Sequence, residues 1–216
     1  MFTKLLKFCV LNGISIEMKW IPREHNIDVD YLSKIIDYDD YTINDDVFRY
    51  LSSKWGPFTI DRFSCHYNAK LDRFNSRYYQ TCTEAVDAFL QNWAFENNWL
   101  LPPVCLIDKV IAHMRMCKAE GTLIVPLWKS SYFWTLIFAD GRHWNDFVFD
   151  WEILPNIKNL FIRGKAKNCL FGARPLAFKM AALRISFAIH ARKQKFGFCT
   201  EEVGSCAKCI NWLSCP

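Results

Sequence analysis

Residues 97–128 read NNWLLPPVCLIDKVIAHMRMCKAEGTLIVPLW. The run 97–101 predicts a short strand that stops at Pro102-Pro103, because proline has no N–H for a sheet ladder. Past the prolines, Leu106, Ile107, Val110, Ile111 and Met114 recur at helical spacing, which predicts a helix over 104–118. Gly121 reads as its stop, and TLIVPLW at 122–128 as a buried strand. A strand, a helix of this length and a second buried strand make a parallel crossover, and hence an α/β sheet.

Working outward, FTID at 58–61 reads as a strand, and residues 83–93 as either a helix or a buried turn. FVFDWEI at 147–153 and LRISFAI at 183–189 alternate apolar and polar positions and predict two further strands. Upstream, residues 3–12 predict a helix that Gly13 stops. Residues 14–21 alternate like a strand ending at Pro22, and 27–36 suit a second helix. DYDDYTINDD at 37–46 is acidic and turn-prone and reads as a linker, followed by a short helix over 46–54 that Gly56-Pro57 ends. The expected organisation is therefore residues 1–36, an acidic linker with a short helix at 37–56, an α/β module at 57–190 and a basic, cysteine-rich tail at 191–216.

With 51% hydrophobic residues the chain can bury a substantial core. No run approaches the roughly 18–20 apolar residues of a membrane span, so no membrane partner is expected. The N-terminus shows no secretory signal, so the ten cysteines are expected as reduced thiols in the nucleus or cytoplasm. Charge is unevenly spread. Residues 1–108 hold 11 Lys/Arg against 15 Asp/Glu, whereas 109–216 hold 16 against 7. No acidic residue lies between Glu152 and Glu201. That basic stretch suits either a nucleic-acid backbone, with counterion release, or a solvated face with no partner.

WIPREHNIDVDYLSK at 20–34 resembles the last segment of a retroelement ribonuclease H domain. Pro22, Arg23, Asn26, Asp30, Leu32, Ser33 and Lys34 carry the likeness. The resemblance implies that Asp30 stands where that family keeps its last metal-binding carboxylate. Read locally, Asp28 or Asp30 suits a helix N-cap equally well. The family's two-metal chemistry needs carboxylates from several strands, and the matching positions cover only the end of such a domain. No nuclease activity is expected.

DRF at 61–63, YNAKL at 67–71, RFNSRYY at 73–79, EAVDAF at 84–89, Trp93 and Pro102-Pro103 form a second, longer constellation. It resembles the segment that follows reverse transcriptase and ribonuclease H in DIRS-type, tyrosine-recombinase retrotransposon polyproteins. The same stretch is similar to phage-type DNA adenine N6-methyltransferases. That likeness implies a Rossmann-like, methyltransferase-type sheet preceded by a strand-helix remnant of a ribonuclease H fold. It also implies that Asp61, Asn68 and Asp87 fall at cofactor-binding positions and Pro102 and Pro103 in the catalytic motif. The departures are Leu101 and Val104. In the family, an Asn or Asp side chain and the backbone carbonyl beside it accept hydrogen bonds from a flipped adenine, and an aromatic stacks on it. Leucine accepts nothing and valine offers no ring, and there is no Gly-rich turn for an adenosyl group. The expectation is a non-catalytic accessory module associated with DNA or an RNA/DNA hybrid and with the rest of its polyprotein, and no cofactor. The alternatives are S-adenosylmethionine-dependent adenine methylation and a zinc-stabilised tail.

The remaining signals stay open. Cys199, Cys206, Cys209 and Cys215 could form a zinc site or be incidental thiols. Phe63, Tyr67, Phe74, Tyr78 and Tyr79 interleave with Arg62, Lys70, Arg73 and Arg77, which suits base stacking or a core with basic neighbours. His113 falls on the polar side of its helix and is expected at the surface.

Overall fold

The computed structural model describes residues 2–15, 40–80, 82–140, 143–165 and 175–188, with isolated positions between them. The chain forms two units, Met1–Ile36 and Asp37–Pro216. In the first, helix α1 spans Phe2–Leu11. Gly13 ends it as expected, with φ +64° and the Ile14 N–H donated to the Cys9 carbonyl at 2.9 Å. The helix expected at 27–36 lies wholly outside the described residues, Asp30 with it, whereas at 14–21 the described positions 14, 15, 17, 19 and 20 form no strand.

In the second unit the elements run β1 (Tyr41–Ile43), α2 (Asp45–Trp55), β2 (Ile60–Asp61), β3 (Asn75–Ser76), β4 (Ala85–Val86), β5 (Asn97–Leu100), α3 (Ile107–Cys117), β6 (Glu120–Pro126), α4 (Trp134–Ile137), β7 (Val148–Ile153), β8 (Phe161–Arg163) and β9 (Met180–Ser186). The class is α/β. Five strands form one mixed sheet in the order β2-β5-β6-β9-β7. β2, β5 and β6 are parallel, with Ile60 opposite Asn98 and Asn97 opposite Glu120. β9 runs antiparallel to both β6 and β7. The β5-α3-β6 crossover is the one expected, entered through a 3-10 turn at Val104–Leu106.

Alternation along the central strands divides the core into two layers. Leu100, Leu123, Val125 and Leu183 face α3, packing with Val110, Ile111, Met114, Trp93 and Phe133. Trp99, Ile124 and Ala182 face the other way, onto Ile43, Val47, Leu51, Phe58 and Phe171. The second layer comes from the segment expected as a linker. β1 pairs with β8, Tyr41 opposite Arg163, and Val47 and Leu51 of α2 are buried. Two of the acidic residues there, Asp45 and Asp46, are helix-start chemistry. Asn44 caps α2 by accepting the Asp46 N–H at 2.8 Å, and Asp45 and Asp46 sit in the first turn, where the helix dipole favours negative charge.

Three further expectations change. Residues 83–93 form neither alternative alone but a two-residue strand and a 3-10 turn at Ala88–Leu90. The last strand starts three residues earlier than its alternation suggests, at Met180. Gly121 does not stop α3. Lys118 does so, in the left-handed conformation at φ 52°, and Gly121 lies inside β6, where a Cβ would run into the Asn98 backbone carbonyl of β5.

Candidate functional site

β2 and β5 run parallel, so the segments that follow Asp61 and Leu100 leave the sheet at the same edge. That edge is where open α/β sheets bind ligands. A cavity of about 360 Å³ opens there, walled by Phe63, Phe89, Leu101 and Leu106 and edged by Arg77 and Lys109. Its remaining polar lining includes Asp40, Ser64, Cys65, Ser76, Asp87 and Cys105.

Asp61 ends β2 and is buried. Its carboxylate accepts the Phe63 N–H at 3.3 Å and the Lys70 N–H at 3.1 Å, and so folds the 62–70 loop back over the strand end. Burial pushes its pKa up to about 6, against the lowering by those two N–H groups. Folded Asp61 therefore binds a proton between about pH 4 and pH 6 that unfolded Asp61 releases. Its contribution makes the protein less stable as pH rises through that window, by at most about 3 kcal/mol. Urea unfolding at pH 4.5, 5.5 and 7 should show the native chain and Asp61→Asn diverging with pH. Parallel curves would discard this account.

Arg62 follows, buried and spread over three acceptors. Nε donates to Asn98 Oδ1 and Nη1 to Asn75 Oδ1, both at 2.8 Å, and Nη2 reaches the Asn92 carbonyl at 3.3 Å. Its carbon Cζ lies 5.5 Å from the Trp93 ring centre. Burial lowers its pKa to about 10, which leaves it a cation at neutral pH. Asn98 in turn donates to the carbonyls of Trp93, Glu96 and Glu120, which ties the cavity floor to β5 and β6.

Asn68 and Asp87 hold the walls. Asn68 Oδ1 accepts the Cys65 N–H at 2.6 Å and its amide donates to Asp40 at 2.5 Å. Asp87 sits at φ 55° and caps the 88–90 turn by accepting the Phe89 N–H at 3.0 Å. Of the three positions matched to a cofactor site, Asp87 lines the cavity, while Asp61 and Asn68 shape its loops. Pro103 also lines it. Pro102 is buried beside it, and its carbonyl accepts the Tyr41 hydroxyl at 2.8 Å. Leu101 is 6% exposed and forms part of the wall.

Several functional positions were not foreseen. Asp40 gathers the Tyr67 hydroxyl, the Asn68 amide and the Lys165 N–H on one carboxylate. Tyr41, Ser64, Arg77, Cys105 and Lys109 also reach the cavity. Of these only Arg77 carried a sequence signal, as one of the basic residues interleaved with aromatics over 62–79. His113 corrects its expectation. It is 8% exposed, 4.6 Å from the Trp93 ring and 2.9 Å from the Gln91 carbonyl through Nε2, because the 3-10 turn and Trp93 cover that side of α3.

Among the described residues no group of three or more His, Cys, Asp or Glu side chains is placed to hold a metal ion. Cys199, Cys206, Cys209 and Cys215 lie outside them. No helix among the described residues is long and apolar enough to cross a membrane. No family model matches the chain, and no curated protein matches it.

Proposed function

We propose that this chain is a non-catalytic, nucleic-acid-associated accessory module of a retrotransposon polyprotein. In this reading its α/β sheet is a Rossmann-like methyltransferase scaffold behind a ribonuclease H remnant. One observation carries the non-catalytic part. At the strand end where an adenine amine would need two acceptors, Leu101 supplies none, and the Pro102 carbonyl already accepts the Tyr41 hydroxyl in a buried hydrogen bond at 2.8 Å. Losing one positioned hydrogen bond of this kind costs about 10²–10³ in rate, and Val104 offers no ring to stack on the base, so little or no methyl transfer is expected. Arg77 and Lys109 at the cavity edge, with the acid-free stretch 153–200, support association with nucleic-acid phosphates.

The test uses the full chain with DNA and S-adenosylmethionine. Expected are DNA binding that weakens steeply between 50 and 200 mM salt and no methyl group on adenine by mass spectrometry. Methylated adenine above a no-enzyme control would restore the alternative, an S-adenosylmethionine-dependent DNA adenine N6-methyltransferase. Absence of any DNA or RNA/DNA binding at low salt would remove the accessory reading.

A further inference from the structure

The aromatic and basic residues interleaved over 62–79 separate by burial. Phe74 and Arg62 are in the core, and Phe63 packs against it. Arg73 is held by Glu84 and Glu96. Tyr67, Tyr78 and Tyr79 are left with 40%, 38% and 62% of their surface exposed. Tyr67 and Tyr78 adjoin residues that line the cavity, and Tyr79 follows Tyr78 in the same loop. The Tyr67 hydroxyl donates to Asp40, which lines the cavity. Tyr78 follows Arg77, another lining residue, whose Cζ lies 5.4 Å from the Tyr78 ring centre. The two loops are joined directly, since the His66 N–H donates to Gln80 Oε1 at 2.9 Å and the His66 ring Nδ1 meets the same oxygen at 2.9 Å.

Cations sit beside these rings. Lys165 Nζ lies 4.4 Å from the Tyr67 ring centre, and Lys109 Nζ lies 4.0 Å from that of Phe89. The cavity lining carries charges of both signs, Asp40 and Asp87 beside Arg62, Arg77 and Lys109, and of these cations Arg62 is buried while Arg77 is exposed. A phosphate is favoured beside the cations that solvent reaches, Arg77, Lys109 and Lys165.

We infer that this rim binds unpaired, single-stranded nucleic acid, with bases stacked on Tyr67, Tyr78 and Tyr79 and phosphates held by Arg77, Lys109 and Lys165. The inference rests on the nucleic-acid reading above and deepens it. Exposed rings alternating with cations suit a single strand, because every unpaired base offers a stacking face, whereas the bases of a duplex are already stacked on each other. Such binding tolerates any sequence.

The experiment is fluorescence anisotropy on the full chain, with a labelled 20-nucleotide poly-dT strand and a mixed-sequence 20-base-pair duplex, over a range of salt. Single-strand binding should be at least about ten-fold tighter than duplex binding. Tyr78→Ala/Tyr79→Ala should weaken it by about ten-fold or more, since each stacked base contributes at about that level. The salt slope of that variant should stay unchanged. Arg77→Ala should lower the slope by about 0.7, one phosphate's share for a single strand. Phe95→Ala, which removes a fully exposed ring at the amino end of β5, should change nothing, and thermal melts should show every variant folded. Equal affinity for the duplex, or full affinity in the double tyrosine variant, overturns this inference while the accessory reading survives. No binding to either nucleic acid overturns both.

Discussion

Replacing Arg62 by alanine should lower the unfolding free energy by about 3–5 kcal/mol, the largest loss expected from a single polar residue of this chain. The guanidinium is 3% exposed and is the donor shared by Asn98 Oδ1, Asn75 Oδ1 and the Asn92 carbonyl. Removing it leaves two buried acceptors, on Asn98 and Asn75, and the part-buried Asn92 carbonyl without that donor, and opens a void beside Trp93. Hydrogen bonds to a charged group contribute about 1.5–3 kcal/mol each, and they are not additive in one network. With a urea dependence of about 2 kcal/mol per molar, the unfolding midpoint should fall by roughly 2 M. Arg62→Lys should recover only part of the loss, because a single ammonium cannot span three acceptors held apart by a planar fork. A midpoint within about 0.3 M of the native chain would show that the network does not hold the strand ends together.

The second large effect is Gly121→Ala. Alanine is ordinarily the mildest change to a glycine. Here, however, the new Cβ would lie inside van der Waals contact with the Asn98 backbone carbonyl. That carbonyl belongs to β5, a central strand paired on both edges, so relief requires β5 and β6 to part. Overpacking of this kind costs about 3 kcal/mol, which for a chain of this length lowers the melting temperature by roughly 10 °C. Scanning calorimetry decides it, and a change under about 2 °C would mean that the strands accommodate a methyl group.

Gly121 also marks how far the sequence could be read. β5, α3 and β6 were legible because their apolar periods of two and 3.6 residues are local and the prolines interrupt them sharply. A glycine just past a helical pattern looks like a stop, and only the close approach of β5, 23 residues earlier, gives its real reason. The same limit applies to β1. Its apolar signal is Tyr41 and Ile43 among aspartates, and its partner β8 is far along the chain, so local composition reads as a linker. At the site, Asp61, Asp87 and Pro103 stood out through a resemblance that turns on local motifs. Tyr41 and Asp40 did not, because their roles arise only where distant loops meet over the strand ends. The burial of His113 had the same origin, a neighbouring turn whose conformation was left open.

The pairing of β1 with β8 also has a consequence in time. During synthesis Tyr41–Ile43 emerges roughly 120 residues before Phe161–Arg163, the strand that completes its ladder. At about 5–20 residues per second, that leaves a nascent apolar strand unpaired for on the order of ten seconds. α2 can form meanwhile from local contacts, but β1 cannot. Asp39, Asp40, Asp45 and Asp46 flank it on both sides, where charge opposes association with other unfinished chains. The acidity of this segment thus guards the growing polypeptide before it serves the folded one.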